Sequence, residues 1–358
     1  MGKKKQKSNQ PFVSICTPTF NRRPFIPYMI KCFEHQTYPK DKIEWIIIDD
    51  GTDKIEDLVT HIPQVKYFKY AEKLTLGKKR NIMHSKSKGE IILYMDDDDY
   101  YPPERISHAV EMLLKNPNAL CAGSSIMHIY FKHIHKMYRF GPYGDRHATA
   151  ATFAFRRKLL ECTSYDENAC LAEEKHFLKD YSIPFVQLDT MKTILVFSHN
   201  HNSFDKKELL NQGNNPYINE STLTPSDFIQ NEDILHFFLN DIDQQLEEYS
   251  QGNPSNKPDV IAQIRTMKQK RDDMMKQRQL QQMQQPMQQQ PNIFTKINTT
   301  QDKITNPQIQ QMNNLSIMVQ ELSLENKFLK EKITYLETKI SELIQDKINT
   351  IQQNKKKD

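Results

Sequence analysis

The stretch Ile91-Ile92-Leu93-Tyr94-Met95-Asp96-Asp97-Asp98-Asp99-Tyr100-Tyr101-Pro102-Pro103-Glu104-Arg105-Ile106 decides how this chain folds. Its first five residues are mostly apolar and begin β-branched, which reads as a short strand buried on both faces. Four carboxylates follow with no spacer. Pro102-Pro103 break the chain, and behind them Ile106, Val110, Leu113 and Leu114 recur at helical spacing. A buried strand that ends in acids just before a helix sets those acids at the carboxyl edge of a sheet. In open α/β folds that edge is where ligands bind. Oxygen-only ligands on a rigid element suit a hard divalent ion, Mg2+ or Mn2+, which in turn suits a diphosphate. An acidic run on its own is more often a solvated turn. The abrupt change from apolar strand to acids favours a site.

Working outward, Phe12 to Thr17 reads as a first strand stopped by Pro18, and Thr17 to Arg22 as a polar loop. Phe25 to His35 reads as a helix, and Trp45 to Ile48 as a second buried strand ending in Asp49-Asp50-Gly51. Val65 to Tyr70 is a weaker strand, and Leu76 to Lys86 a helix carrying Gly77, Arg80 and Asn81. Strands alternating with helices predict a mostly parallel, Rossmann-like sheet. Polar clusters at three strand ends, Thr17/Asn21, Asp49/Asp50 and Asp96 to Asp98, then converge in space.

Val13-Ser14-Ile15-Cys16-Thr17-Pro18-Thr19-Phe20-Asn21-Arg22, Gln36-Thr37-Tyr38-Pro39 and Ile47-Ile48-Asp49-Asp50-Gly51 resemble the opening of family 2 glycosyltransferases with the GT-A fold. Leu76-Gly77 with Arg80-Asn81, then Lys88 to Asp99, continue that pattern in order. The resemblance covers about residues 11 to 205. It implies inverting transfer of a sugar from a nucleotide-sugar donor, a UDP-sugar above all, to a hydroxyl on a glycan or protein, with Mn2+ or Mg2+ on the diphosphate. It assigns donor binding to Thr17, Pro18, Thr19, Asn21, Asp49, Asp50, Arg80, Asp96 and Asp97. Within that set Asp49 or Asp50 meets the base and Asp97 the ribose. It assigns the ion to Asp98 with Asp96, and gives His199 or His201, after the strand ending at Ser198, as a further ligand. A lone His beyond a strand is more often a hydrogen-bonding residue. Members of the family carry a Glu-Asp pair at a helix start, whose second acid is the general base. Here Glu173-Glu174 stands there, so the base is Glu174 or Glu173. Two acids at a helix start also serve simply to complement the helix dipole.

The second half of this region reads as strands over Ala119 to Phe131, Lys132 to Phe140 and Ala150 to Phe155, with a short helix at Arg156 to Leu160. Residues 206–257 form an extension whose stripe Ile234/Leu235, Phe238/Leu239, Ile242, Leu246 and Tyr249 reads as a helix packing on the catalytic part, capped by Ser226 or Asp227. Residues 258–307 are a Gln/Met-rich linker, helical at most in its first half. Leu315, Leu322, Leu329, Leu336 and Leu343 then repeat every seven residues, with Met312, Val319, Asn326, Ile333 and Ile340 in the other seam position. Leu at d with β-branched residues and one Asn at a predicts a parallel two-stranded coiled coil over 308–353, a homodimer joined through 312–343.

Basic tails flank the whole, at residues 1–10 and 354–358, and hold much of a net charge of +4. No basic face with interleaved aromatics marks a nucleic-acid binder. The five cysteines are scattered and fit neither a disulfide framework nor a metal spacing, which favours a reducing compartment. No apolar run approaches the roughly 20 residues that span a bilayer, and no signal-peptide core follows the basic start. The expectation is a cytoplasmic protein. A Lys, Ile, Asn and Gln bias adds a resemblance to cytosolic glycosyltransferases of large DNA viruses, placing it in host cytoplasm or virion. Two other readings compete. A sugar nucleotidyltransferase would want a Gly-rich loop after the first strand, and Thr17 to Arg23 holds no glycine. A scaffold whose enzyme domain has decayed would have lost its acids, which are present.

Overall fold

The computed structural model describes residues 10–171, 174–211 and 215–284. The chain divides into two units, residues 1–283 and 284–358, and the elements below belong to the first, its last helix ending at the boundary. Glu173, the 308–353 heptads and residues 285–307 of the 258–307 segment lie outside the described residues.

The elements follow in chain order as β1 (Val13–Thr19), α1 (Ile26–Glu34), β2 (Ile43–Asp49), α2 (Glu56–Val59), β3 (Val65–Lys69), α3 (Leu76–Lys86), β4 (Ile91–Tyr94) and α4 (Arg105–Lys115). Next come β5 (Cys121–Gly123), β6 (Met127–Phe131), β7 (Lys136–Phe140), β8 (Ala154–Arg156), α5 (Glu174–Phe177), β9 (Phe185–Gln187), β10 (Val196–Ser198) and β11 (Ile218–Glu220). The chain then forms α6 (Pro225–Phe228), α7 (Glu232–His236), α8 (Ile242–Glu248) and α9 (Pro258–Gln284).

A seven-stranded sheet runs in the order β3-β2-β1-β4-β8-β5-β9. It is parallel except at β8, which is antiparallel to both β4 and β5. This is the mostly parallel, GT-A-like α/β architecture. Burial explains its inner strands. Ile15, Ile47 and Leu93 face one core with Trp45 and Phe33, whereas Cys16, Ile46, Ile48, Ile92 and Tyr94 face another with Met83 of α3. Successive side chains point to opposite faces, so a strand covered on both sides must be apolar throughout. β1 continues through Pro18 to Thr19, beyond the expected stop. Its pairing with β4 ends at Cys16↔Tyr94, so the proline lies past the end of that ladder.

The region from Ala119 to Phe155 is more broken than its sequence suggests. β6 and β7 are split by a 3-10 turn at Lys132–Ile134 and belong to a second sheet, ordered β10-β6-β7-β11. Residues Ala150–Thr152 form a 3-10 turn before β8, and Arg157–Glu161 is 3-10 helix. The helices after 224 pack Phe228, Ile234, Phe237, Phe238, Ile242 and Leu246 into the first core. Asn231 caps α7 by accepting from the Ile234 amide, while Thr224 and Asp227 form a capping box on α6. From Pro258 the chain is helical to Gln284. Among the described residues no helix is long and apolar enough to cross a membrane.

Candidate active site

The order β3-β2-β1-β4 reverses its winding between β1 and β4, and crevices at such reversals hold ligands. β1 and β2 end level, with Thr19 opposite Asp49, and β4 releases the acids directly beside them. β10 comes to the same place from the second sheet. The Tyr100 amide donates to the Leu195 carbonyl at 3.0 Å and the Leu195 amide to the Tyr100 carbonyl at 2.9 Å, while the Phe197 amide donates to Asp99 Oδ1 at 3.3 Å. This short bridge delivers His199 to the acids.

Asp98 Oδ2 lies 3.4 Å from His199 Nε2 and 3.2 Å from Arg22 Nη2, and Arg22 Nε lies 3.6 Å from Asp97 Oδ1. All four side chains are largely shielded from solvent, Asp98 the least of them. Burial opposes ionisation of Asp98, but Arg22 and then His199 outweigh it and hold the carboxyl well below the usual range. Burial, then the neighbouring Asp98, pushes Asp97 the other way, up to about 7. Burial pushes His199 down to about 3, so its ring is neutral. Nδ1 of that ring faces the His201 amide at 3.2 Å and Nε2 faces Asn202 Nδ2 at 2.8 Å. A neutral imidazole accepts at one nitrogen only. The His201 amide is itself a donor, so Nδ1 accepts and the Nε2 proton faces Asp98 Oδ2, a proton that a bound ion would displace.

That pair fits a divalent cation. Two ligands at right angles on an ion with bonds of about 2.1 Å lie about 3.0 Å apart, close to the 3.4 Å found. Asp97 Oδ2 is buried without a hydrogen-bond partner among the described residues. Among those residues no three His, Cys, Asp or Glu side chains gather tightly enough to enclose a metal. Ions of the Mg2+ type commonly take only one or two carboxylates and complete their shell with substrate phosphates and water.

Several residues assigned to the donor also hold the loops. Thr17 Oγ1 donates to the Met95 carbonyl at 2.6 Å and accepts from Trp45 Nε1 at 2.9 Å. Asn21, at φ 51°, accepts from the Thr52 and Asp53 amides at 2.8 and 3.0 Å. Asp49 is fully buried and accepts from the Gly51 and Ile55 amides and from the Tyr67 hydroxyl, at 2.9, 3.0 and 2.6 Å. Asp50 binds Lys79 Nζ at 2.8 Å and the Leu74 amide at 2.6 Å. The guanidinium of Arg80 stacks over Tyr94 at 4.1 Å from the ring centroid. The amide of Asp96 donates to the Tyr101 hydroxyl at 2.8 Å. Pro18 lies within β1, and Thr19, its last residue, is buried.

Glu174 opens α5, half-buried, and Phe177 of that helix anchors it in the second core. His201 is buried within the same turn as His199. Sequence reasoning passed over Arg22 and Lys79. Their signal is their place in motifs otherwise quoted for Asn21 and Arg80.

A doubly wound sheet with carboxylates, an imidazole and an arginine at its switch point defines an α/β protein with a candidate ligand site there. Residues 14–163 match the model of the family described as glycosyl transferase family 2. Among curated proteins, it is 28% identical over 113 residues to the poly(ribitol-phosphate) beta-N-acetylglucosaminyltransferase TarS of Staphylococcus aureus, covering 28% of this chain and 18% of TarS. It is 33% identical over 116 residues to an uncharacterized glycosyltransferase of Rickettsia typhi, covering 32% of this chain and 36% of that one. The chain thus spans well under half the length of either relative. Among solved structures, TarS 1–349 in complex with UDP-GlcNAc aligns with a TM-score of 0.42 at 17% identity, over 63% of this chain and 65% of that one. A mannosyltransferase from Pyrobaculum calidifontis in complex with GDP-Man and Mn2+ aligns with a TM-score of 0.44 at 14% identity, over 64% and 70%.

Proposed function

We propose that this chain is an inverting glycosyltransferase that takes a sugar from a nucleotide-sugar donor, a UDP-sugar first, and uses a divalent ion, Mn2+ or Mg2+. The observation that carries the reading is the approach of Asp98, His199 and Arg22 at the switch-point crevice of a family 2 domain. Asp98 and His199, with Asp97 or Asp96 beside them, would hold the ion, which when bound offsets charge on the diphosphate leaving group. Arg22 keeps Asp98 ionised and ready for a cation. Asp49 and Asp50 fix the loop that meets the base, and Asp97 stands nearest for the ribose. Glu174, or Glu173 before it, takes the proton of the acceptor hydroxyl as that oxygen attacks the anomeric carbon. The bond from that carbon to the diphosphate oxygen breaks, and attack from the opposite face inverts the centre. The acceptor is a hydroxyl of a glycan or protein. The heptads at 312–343 support a parallel homodimer, and the cysteine pattern a cytoplasmic setting.

The test is a panel of UDP- and GDP-sugars with Mn2+, scoring nucleotide release and protection against thermal unfolding. At least one donor is expected to do both. A panel in which no donor is hydrolysed or protects would overturn the reading.

A further inference from the structure

Residues 249 to 263 follow the family segment, yet they touch the loops after β1, β2, β3 and β10. The Tyr249 hydroxyl donates to Asp53 Oδ2 at 2.8 Å, and Asn21 Nδ2 donates to the Gln251 carbonyl at 2.9 Å. Gly252 is pressed so closely that a Cβ there would lie 2.7 Å from His201 Nδ1 and 3.0 Å from the Asn21 carbonyl oxygen. Asp259 pairs with Lys73, in the loop leading to α3. Gln263 Oε1 accepts from the Cys170 amide at 2.8 Å, four residues before Glu174. This strap is held by the base loop, the acid-facing loop and the segment that leads to the candidate base.

Within the strap, Lys257 is 6% exposed. Its ammonium donates to Ser203 Oγ at 2.7 Å and lies 5.7 Å from the centroid of the Phe20 ring. No carboxylate among the described residues forms an ion pair with it, whereas Lys79 has Asp50 and Arg22 has Asp97 and Asp98. Burial, then Arg22 and Lys79, push its pKa well below the usual lysine range, while Asp97 and Asp98 pull it back. An ammonium shut away with one hydroxyl and two like charges is costly, and a chain keeps such a group where an anion is to come.

We infer that Lys257 is a donor-binding residue that engages the diphosphate of the nucleotide, and that the strap carrying it completes the site. This rests on the nucleotide-sugar reading above and assigns the phosphate contact to a residue outside the family segment. A lysine suits it, as a point charge with two of its three donors still to use.

The experiment compares wild type with Lys257→Met and Lys257→Arg in the full chain, measuring UDP affinity with Mn2+ by calorimetry and the melting temperature without ligand. Lys257→Met is expected to weaken UDP at least tenfold while the free protein melts no lower, since a costly buried charge has been removed. Lys257→Arg keeps affinity within about threefold. Unchanged UDP affinity in Lys257→Met overturns the assignment, as does a loss that the arginine fails to restore. Should Lys257→Met not fold, Lys257→Gln takes its place under the same criteria. If wild type binds neither UDP nor GDP, the nucleotide-sugar reading itself fails. Wild-type binding that Lys257→Met retains in full removes this inference alone.

Discussion

Asp98 is the residue in which the opposing forces of the site meet. Enclosure alone would protonate it, and Arg22 at 3.2 Å reverses that, so it enters the reaction as an anion. Asp98→Asn keeps the shape and removes the charge. Turnover of any donor is expected to fall about 100-fold or more, the scale of losing a principal electrostatic stabiliser. Mn2+ affinity, read by calorimetry, should fall with it. His199→Ala separates two roles for the ring. As a ligand its loss weakens Mn2+ binding; as a donor that merely orients Asp98 its loss leaves Mn2+ affinity unchanged and slows turnover only. The first outcome is expected, because Nε2 lies 3.4 Å from Asp98 Oδ2, and imidazole and carboxylate are donors that a divalent ion takes. For the proton, Glu174→Gln should abolish transfer while UDP affinity stays within a factor of two. If Glu173→Gln is the inactive variant instead, the base is one residue earlier.

At the scale of elements, the sequence was most legible where local pattern and burial agree. α3 runs from Leu76 to Lys86 as its residues predict, because Thr75 accepts from the Lys78 amide at its start. The three strand ends converge because β1, β2 and β4 are parallel neighbours in register. The hairpin of β6 and β7 was legible only as β-rich sequence. Its membership in a second sheet depends on β10, some 60 residues later, and no local period carries that. Lys257 was illegible for the same reason, being one lysine at the end of a segment read as a helical extension. Thr17, Asn21 and Asp49, whose side chains also hold the loops, illustrate another limit. A motif marks the loops of a site but not which of its side chains build the loop and which face the ligand. The heptads of 308–353 lie outside the described residues, so their prediction rests on the seam itself. In register, two Asn326 side chains can pair, whereas a slip sets one amide against Leu or Ile at about 1–3 kcal/mol. The full chain is expected to sediment as a dimer. Asn326→Ile should raise the melting temperature of the coil and admit higher oligomers, and a monomeric wild type would rule the seam out.

Across the described residues, buried histidines held neutral by the fold, His84 and His128 among them, contribute to how it responds to acid. His84 lies in the second core, with Nε2 2.7 Å from the Tyr94 hydroxyl, and burial, then Arg80 and Arg157, pushes its pKa down to about 3. His128 lies on the second sheet beside Phe228, and burial, then Arg139, takes it to about 4. In the unfolded chain each would titrate near 6.5. Below that value the unfolded state binds protons that the native state refuses, so both groups favour unfolding progressively as pH falls from 6.5 towards 4. Above 6.5 the penalty vanishes. Each histidine can contribute up to about 1.4 kcal/mol per pH unit across this window, or about 2 kcal/mol at pH 5. Carboxylates held low by their partners, such as Glu44 beside Lys66, lose their stabilising effect only at lower pH, near and below the usual carboxylate range. Asp97 and Asp99, whose pKa burial raises, bind protons in the native state over the same interval and oppose the histidines there. A single histidine is therefore read by difference: between pH 7 and pH 5, urea unfolding should show His128→Gln losing about 2 kcal/mol less stability than wild type. A variant with the same pH dependence as wild type would show that the fold does not hold the His128 ring neutral.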